Sequence, residues 1–258
     1  MSSEKATAIV LRVIEFSETS SVVTLFTREF GKVRGLAKGA RRPKGPFESA
    51  LDLLALCRIV FLRKSSDSLD LLTEAKLERR FRPAGGNLSK LYAAYYVAEL
   101  LNELTDDYDP HPGLFDAADA TLVSFASAGE DVASALVHFE LTALRETGHL
   151  PTLAACAACG RDVEATGRVP FSQRAGGVLC KSCRSGQKQI ISVSSSVIAA
   201  LARMAGEDRP SSSGGGLDAR TYGELRGVLN HYWTHLMGRP ARMQRWLPTP
   251  VDGTSRTD

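Results

Sequence analysis

Two pairs of cysteines limit what this chain can fold into more than any other feature. Cys156 and Cys159 form one C-x-x-C, in CAACG, and Cys180 and Cys183 form a second, in LCKSC, after a 20-residue gap. Two-residue spacing lets both thiolates of a knuckle reach one ion about 2.3 Å away. Two such knuckles close a tetrahedron and leave no position open for a substrate. Pair and gap both fall within the spacing of a zinc site. The expectation is a structural zinc held by Cys156, Cys159, Cys180 and Cys183, against disulfides or idle thiols. Gly160, just after Cys159, suits the turn that brings backbone amides to face the sulfurs. A redox C-x-x-C needs one pair and usually opens a helix after a strand; neither condition is expected here. The most specific motif therefore holds a fold together and does no chemistry itself.

A chain of 258 residues suffices for two modest domains or one large one. Its 43% apolar and 24% charged content is that of an ordinary soluble globular protein. No run of about 18 apolar residues occurs, so no membrane span is expected. The N-terminal MSSEKATAIV lacks the pattern of a signal peptide. Cys57, in LLALCRIVF, reads as a small buried hydrophobe. Reduced thiols favour the cytosol. The net charge of +3 hides an asymmetry: +6 over residues 1–82, −9 over 83–149 and +6 over 150–258. A basic end beside an acidic middle implies that only part of the molecule meets a polyanion.

Residues 5–80 read as strands. AIVLRVIEF, SVVTLFTR, KVRGLAKG, LLALCRIVFLR and SLDLLTEAKLER are runs of suitable length bounded by turn residues. Five strands in this length suggest an OB-type barrel. The period changes after Pro83. Leu91, Tyr95, Ala98 and Leu101 recur at helical spacing behind a capping Asn87. Further helices are expected at 113–128, at 131–147 with Val132, Leu136, Phe139 and Ala143 on one face, and at 194–205. The metal segment lies at about 152–186. SSSGGG at 211–216 reads as a flexible loop. The last helix is expected to start at a Thr221-x-x-Glu224 capping box and to carry Leu225, Leu229, Tyr232 and Leu236 in its stripe, up to Gly238. The fold class is thus α+β. An OB-type five-stranded β-barrel (1–82) precedes an α-helical domain (83–247) with an inserted four-cysteine segment, and a disordered tail follows (248–258).

The stretch from Arg28 to Lys44 carries Arg28, Lys32, Arg34, Lys38, Arg41, Arg42 and Lys44 against Glu29 alone. Its core, GLAKGARRPKG, is a glycine-rich basic loop. Such charge density attracts a phosphate backbone through counterion release, and OB barrels place loops of this kind beside a strand face that binds single strands. The plain alternative is a solvated basic turn. Phe26, Phe30 and Phe47 are candidate stacking residues but read as core, which favours backbone contacts and weak sequence preference. Arg79, Arg80 and Arg82 either extend the basic surface or pair with the acidic block, and pairing is the preferred reading. Asp106, Asp107 and Asp109, followed by Pro110 and Pro112, read as an exposed loop. It either faces protein partners, packs on those arginines, or is simply solvated.

Catalytic constellations are wanting. His138-Phe139-Glu140 ahead of Cys156-x-x-Cys159 resembles the H-x-E and P-C-x-x-C of nucleobase deaminases. However, Ala155 replaces the proline, and the second cysteine pair would have no purpose. His231 and His235 lie four apart on a predicted helix but lack an intervening Glu and a third ligand. There is no Walker loop and no G-x-S-x-G.

Taken together, FTREFGKVRGLAKGARR at 26–42, LYAAYYVAELLNEL at 91–104, GLFDAADATL at 113–122, FELTALRETGHLPTLAACAACG at 139–160 and GGVLCKSC at 176–183 resemble the RecO family of bacterial recombination mediators. LNHYWTHLMGRPARMQRWL fits more loosely, and the similarity spans most of residues 5–247. The resemblance implies an OB domain, a helical domain and a zinc segment, with no enzymatic turnover. It implies binding of single- and double-stranded DNA and annealing of complementary strands. With RecR, it implies help in loading RecA on DNA coated by single-stranded-DNA-binding protein, in the bacterial cytosol and at the nucleoid. Lys38, Arg41, Arg42 and Lys44 match the family's DNA-contacting region, with Lys32 and Arg34 beside them; the four cysteines match its zinc-bearing branch. One departure concerns the pocket that captures the acidic tail of the single-stranded-DNA-binding protein. The helical block here has only Lys90 and Arg145 as basic residues. The alternative from another class is a zinc-ribbon factor in transcription or RNA metabolism.

Overall fold

A computed structural model describes residues 2–42, 45–47, 50–64, 68–129, 131–206 and 218–247. Lys44, the 211–216 loop and the tail from Pro248 lie outside these. The chain divides into two compact units, Met1–Glu130 and Asp131–Asp258. The strands give way to helices at 83, but the first two helices belong to the barrel's unit.

Five strands close a barrel in the first unit: β1 (Ser2–Glu15), β2 (Ser21–Thr27), β3 (Gly31–Ala37), β4 (Leu56–Arg63) and β5 (Asp70–Arg79). Their order is β1-β2-β3-β5-β4, with β3 and β5 parallel and β1 returning to β4. β1 starts six residues before the apolar run that announced it. Its first half pairs with β4 and its second half with β2, so one long strand serves both neighbours and closes the sheet. The polar SSEKAT segment gives no apolar signal for this role. Alternation along the strands turns Ala8, Val10, Val23, Leu25, Val33, Cys57, Ile59 and Phe61 inward. Cys57 is fully buried, its thiol directed at the Ala50 carbonyl at 2.8 Å, and burial pushes its pKa up to about 12. Phe26 and Phe47 are core, as expected, and Phe30 packs edge-on against Phe61.

Helices α1 (Leu88–Leu104) and α2 (Pro112–Ala126) complete this unit. Asn87 caps α1 by accepting from the amides of Ser89 and Lys90. The buried face of α1 is Ala93, Ala94, Tyr96, Val97, Ala98, Leu100 and Leu101, rotated from the expected stripe because Leu91 and Tyr95 stay half-exposed. The outer side of β2 meets α2 at Phe26 and Phe115, whose ring centroids are 6.0 Å apart.

The second unit holds α3 (Val132–Glu146), capped by Asp131, then a three-stranded sheet ordered β7-β6-β8. Its strands are β6 (Arg168–Ser172), β7 (Gly177–Val178) and β8 (Ile190–Ser194). A one-turn α4 (Lys181–Arg184) and two longer helices, α5 (Ser195–Gly206) and α6 (Ala219–Met237), follow. The cap of α6 differs from expectation. Asp218, not Thr221, is the N-cap, accepting from the Thr221 amide and hydroxyl. Glu224 instead accepts from the Ser194 amide and hydroxyl at 2.9 and 2.7 Å, tying α6 to β8. An aspartate with two acceptor oxygens one turn upstream outcompetes the threonine as a cap. Gly238 ends α6 at φ 70°, where a side chain would be strained. Among the described residues, no helix is long and apolar enough to cross a membrane.

Candidate nucleic-acid interface and metal centre

The predicted basic residues fall into two groups on the barrel. Lys32 and Arg34 lie on β3, whereas Lys38, Arg41 and Arg42 lie on the loop beyond it. Both members of the first group are engaged by the chain itself. The Lys32 ammonium donates to the Asn102 and Thr105 carbonyls at the end of α1, and burial lowers its pKa. Arg34 pairs with Asp107. The acidic loop is thus docked on the barrel. The Tyr108 amide donates to the Lys32 carbonyl at 2.9 Å, and the Tyr108 hydroxyl donates to Asp70. Burial raises the Asp70 pKa, and Arg63 sits 4.0 Å above the Tyr108 ring centroid. Gly31, at φ 68°, is where the loop comes closest: a Cβ there would collide with the Asp109 carbonyl. Asp107 is thus exposed but paired; Asp106 and Asp109 are exposed too, the latter beside His111. The partners also differ from those expected. Arg79 does pair with the acidic block, at Asp119, but Arg80 pairs with Asp52 of the barrel's own loop.

The second group is more open. Lys38 and Arg42 are exposed and make no ion pair with a described residue. Arg41 is tied at both ends: its amide donates to the Thr19 carbonyl at 3.1 Å, and its guanidinium pairs with Glu15 at 3.0 Å. This locks the basic loop against the β1–β2 hairpin, so the charges of Lys38, Arg41 and Arg42 collect at one end of the barrel. That geometry suits contact with a phosphate backbone. One nearby residue escaped the sequence reading. Phe16, on the hairpin, is 67% exposed, although its place at the end of an apolar strand run gives no sign of it.

Lys90 and Arg145, the only basic residues of the 83–149 block, are both committed locally. Lys90 is buried and donates to the Ser127 carbonyl at the end of α2; Arg145 donates to the Ala205 carbonyl near the end of α5, at 2.7 Å. Cations there satisfy carbonyls that helix ends leave without partners. Neither is set up to bind an acidic tail.

In the second unit the four cysteines converge. Their Sγ atoms all lie within 4.8 Å of one another, and Cys159 and Cys180 are 3.9 Å apart. Four sulfurs about 2.3 Å from one ion stand about 3.8 Å apart, so the cluster has the dimensions of a closed tetrahedral site. A disulfide needs about 2.05 Å, and all five cysteines are unpaired. The first knuckle is turned by Gly160 at φ 74°, whose amide donates to the Cys156 carbonyl at 2.8 Å. The Ala157 amide donates to Val178 at 2.9 Å, joining the two knuckles. Backbone amides, that of Cys180 first, hold the Cys156 thiol down at about 6, and the Cys183 amide lowers Cys180. Cys183 is pushed up to about 12, chiefly by the neighbouring Cys180 sulfur. So crowded a set retains a proton unless a cation balances the charge. One expectation fails: Cys180 does open a helix after a strand, as the N-cap of α4, which begins just past β7 and Leu179. Yet α4 is a single turn, and the sulfurs of its N-cap Cys180 and of Cys183 both belong to the cluster, so the donor set remains one that could hold a metal ion.

The deaminase likeness finds no support. Glu140 is fully buried and held by Arg226, which also reaches Asn230 at 2.7 Å. His231 and His235 are exposed on α6, and the only metal-competent cluster among the described residues is the four cysteines.

The family model described as "Recombination protein O N terminal" matches residues 1–81, and that described as "Recombination protein O C terminal" matches residues 85–245. A "DNA repair protein RecO" of Rhodopirellula baltica is 43% identical, covering 95% of this chain and 99% of its own length. A protein of the same name from Anaeromyxobacter dehalogenans (strain 2CP-C) is 36% identical over 94% of this chain and 95% of its own. The one from Myxococcus xanthus is 34% identical over 90% and 91%.

Proposed function

The chain belongs to the RecO family of DNA repair proteins, and from that premise we propose that it is a DNA-binding recombination mediator. It binds single- and double-stranded DNA and anneals complementary strands. With RecR, it helps load RecA onto DNA coated by single-stranded-DNA-binding protein, in the bacterial cytosol and at the nucleoid. The barrel (1–82) is the DNA module, and the helical part (83–247) with its metal segment serves as scaffold and partner surface. The observation that carries this reading is the open basic end of the barrel, where Lys38, Arg41 and Arg42 are held on a loop locked to the hairpin. Lys44 follows that group in sequence, outside the described residues, and Lys32 and Arg34 add charge along β3 that the acidic loop partly balances.

The physical logic follows from charge. Annealing brings two polyanions together, and a basic surface lowers the cost of approach. Contacts to phosphates leave base edges free to pair. No step in this reading turns over a small molecule. We read the cysteine cluster as a zinc site with Cys156, Cys159, Cys180 and Cys183 as ligands. Zinc there would fix the two knuckles and supply no open coordination position.

The test is strand annealing on DNA coated by single-stranded-DNA-binding protein, with and without RecR. Faster annealing on the coated strands, and RecA loading that requires RecR, are expected. DNA binding without annealing or RecR dependence would instead indicate a nucleic-acid-binding factor of another kind.

A further inference from the structure

Two of the seven exposed large apolar side chains among the described residues, Ile14 and Phe16, lie two positions apart at the β1–β2 hairpin. Exposed apolar side chains adjoining on one face call for an occupant. The strand register gives its setting. Val23, Leu25 and Ala37 face the barrel core, so the residues alternating with them face outward. Cross-strand partners share a face. Ile14, Val22 and Leu36 therefore form one outward row, since Ile14 pairs with Val22 and Val22 with Leu36. Arg12, Thr24 and Arg34 form the next row by the same register. The alternation carries Phe16 and Lys38, each just past its strand, to the same side as Ile14 and Leu36. Phe16 is held there by its amide, which donates to the Ser20 carbonyl at 3.0 Å. Farther along β2, the outer face is covered, because Phe26 packs on Phe115. The hairpin end is the part left open.

Charge selects the occupant. Arg12 lies in the row beside the apolar one, Lys38, Arg41 and Arg42 follow Leu36 on the adjoining loop, and of the hairpin's carboxylates Glu15 is already paired with Arg41. We propose that this open end is a platform for unpaired nucleic acid: Phe16 stacks a nucleobase while Lys38, Arg41 and Arg42 hold the flanking phosphates. The proposal rests on the DNA-binding reading above and adds a preference for single strands. A flat ring beside a cationic rim suits a strand whose base faces are accessible. In duplex those faces are already stacked, and exposing one costs a few kcal/mol. Each base–aromatic stack strengthens single-strand binding with little regard to sequence.

The test compares the full-length protein with Phe16→Ala, Phe16→Leu and Phe16→Trp variants. Each is titrated onto an oligothymidine strand and onto a mixed-sequence duplex at several salt concentrations. Phe16→Ala is expected to weaken single-strand binding about tenfold. Duplex affinity and both salt slopes should stay unchanged, because no cation is lost. Phe16→Trp should restore single-strand affinity and quench a fluorescent purine in the strand, whereas Phe16→Leu, apolar but not flat, should not. Equal losses on strand and duplex, or full affinity in Phe16→Ala, would overturn the stacking role while leaving DNA binding standing. So would unchanged DNA binding with lost capture of single-stranded-DNA-binding protein, which would make the face a protein dock. A wild-type protein that binds no DNA at low salt would overturn the DNA-binding reading itself, and this inference with it.

Discussion

Replacing Lys38, Arg41 and Arg42 with glutamine tests both the DNA path and the role of the hairpin lock. Neutral glutamine is the better probe, since reversal at Arg41 would set a second carboxylate beside Glu15. Each phosphate contact contributes roughly 0.7 to the logarithmic salt slope on single strands and roughly 0.9 on duplex. Losing three contacts should flatten the slope by about 2 on strand and nearly 3 on duplex. For a fourfold rise in salt, the wild type then loses about fifteenfold more single-strand affinity than the variant. The contributions should not be equal. Lys38 and Arg42 make no ion pair with a described residue, whereas Arg41 must leave Glu15, so Arg41→Gln alone should change affinity least. Conversely, Glu15→Gln should strengthen DNA binding, up to about fivefold, because exposed pairs are worth at most about 1 kcal/mol. Fluorescence anisotropy of labelled strand and duplex across a salt series gives both affinity and slope, and circular dichroism checks folding. A folded triple variant with unaltered slope would refute the assignment of the path. A weaker Glu15→Gln protein would refute the competition.

Other expectations follow from the same geometry. Freshly purified, reduced protein should carry one zinc per chain, and less than half an equivalent by metal analysis would contradict the site. Loss of any one of the four cysteines should unfold the 152–186 segment, since closed zinc sites contribute on the order of 10 kcal/mol in small modules. Gly31→Ala combines a left-handed backbone, costing about 1–2 kcal/mol, with a collision at the Asp109 carbonyl; urea melts should register a loss of about 3 kcal/mol, and a loss under 1 would show that the acidic loop is not docked there. Glu140→Ala should cost about 3–5 kcal/mol because it strands the buried Arg226 charge, while the apolar double variant Glu140→Met with Arg226→Met should be near neutral. The Ser194 hydroxyl and amide hold Glu224 below the usual carboxylate range. Its contribution is therefore complete above the unfolded value of about 4.3 and is lost as pH falls through the lower folded value. Glu224→Gln should make acid unfolding less steep, and an unchanged acid limb would argue against the β8–α6 tie.

How much of this was legible depends on the kind of signal. The barrel strands announced themselves because each is a run of seven or more residues bounded by turn residues; GKVRGLA buries alternate positions, whereas SVVTLFT is buried on both faces. The polar start of β1 did not, since its pairing with β4 is a matter of barrel closure rather than side-chain pattern. The small sheet of the second unit went unseen for a related reason: β7 has two residues, and β6 and β8 have five each, too few for a period to emerge. The convergence of the four cysteines was legible because the spacing of a metal-binding knuckle is narrow. The helix that Cys180 opens was not, because a single turn leaves no periodicity. At the capping box, the motif was present, but the neighbouring Asp218 and the distant Ser194 took its two partners. Phe16 was missed since a strand-ending phenylalanine reads as core unless the turn beyond it is known.

The charge asymmetry acquires its meaning only from pairing. Read along the chain, a −9 block after a +6 block suggests two regions with different partners. Within the first unit, much of that contrast is internal. Arg28 pairs with Asp116, Arg34 with Asp107 and Arg79 with Asp119. These exposed or half-exposed pairs add little stability, but they neutralise the side of the barrel that the acidic loop and α2 adjoin. Arg28 holds the Asp116 carboxyl below its ordinary range, so this pairing persists at any pH at which DNA binding is measured. Among the described residues, Arg12, Lys38 and Arg42 at the hairpin end make no ion pair. On the DNA-binding reading proposed above, the acidic block limits where a phosphate backbone finds unbalanced cations. Asp116→Asn and Asp107→Asn should accordingly raise DNA affinity and steepen its salt slope, as Arg28 and Arg34 become available. If DNA instead approached over the α2 side, both arginines would already serve it in the wild type, and those substitutions would leave the slope unchanged.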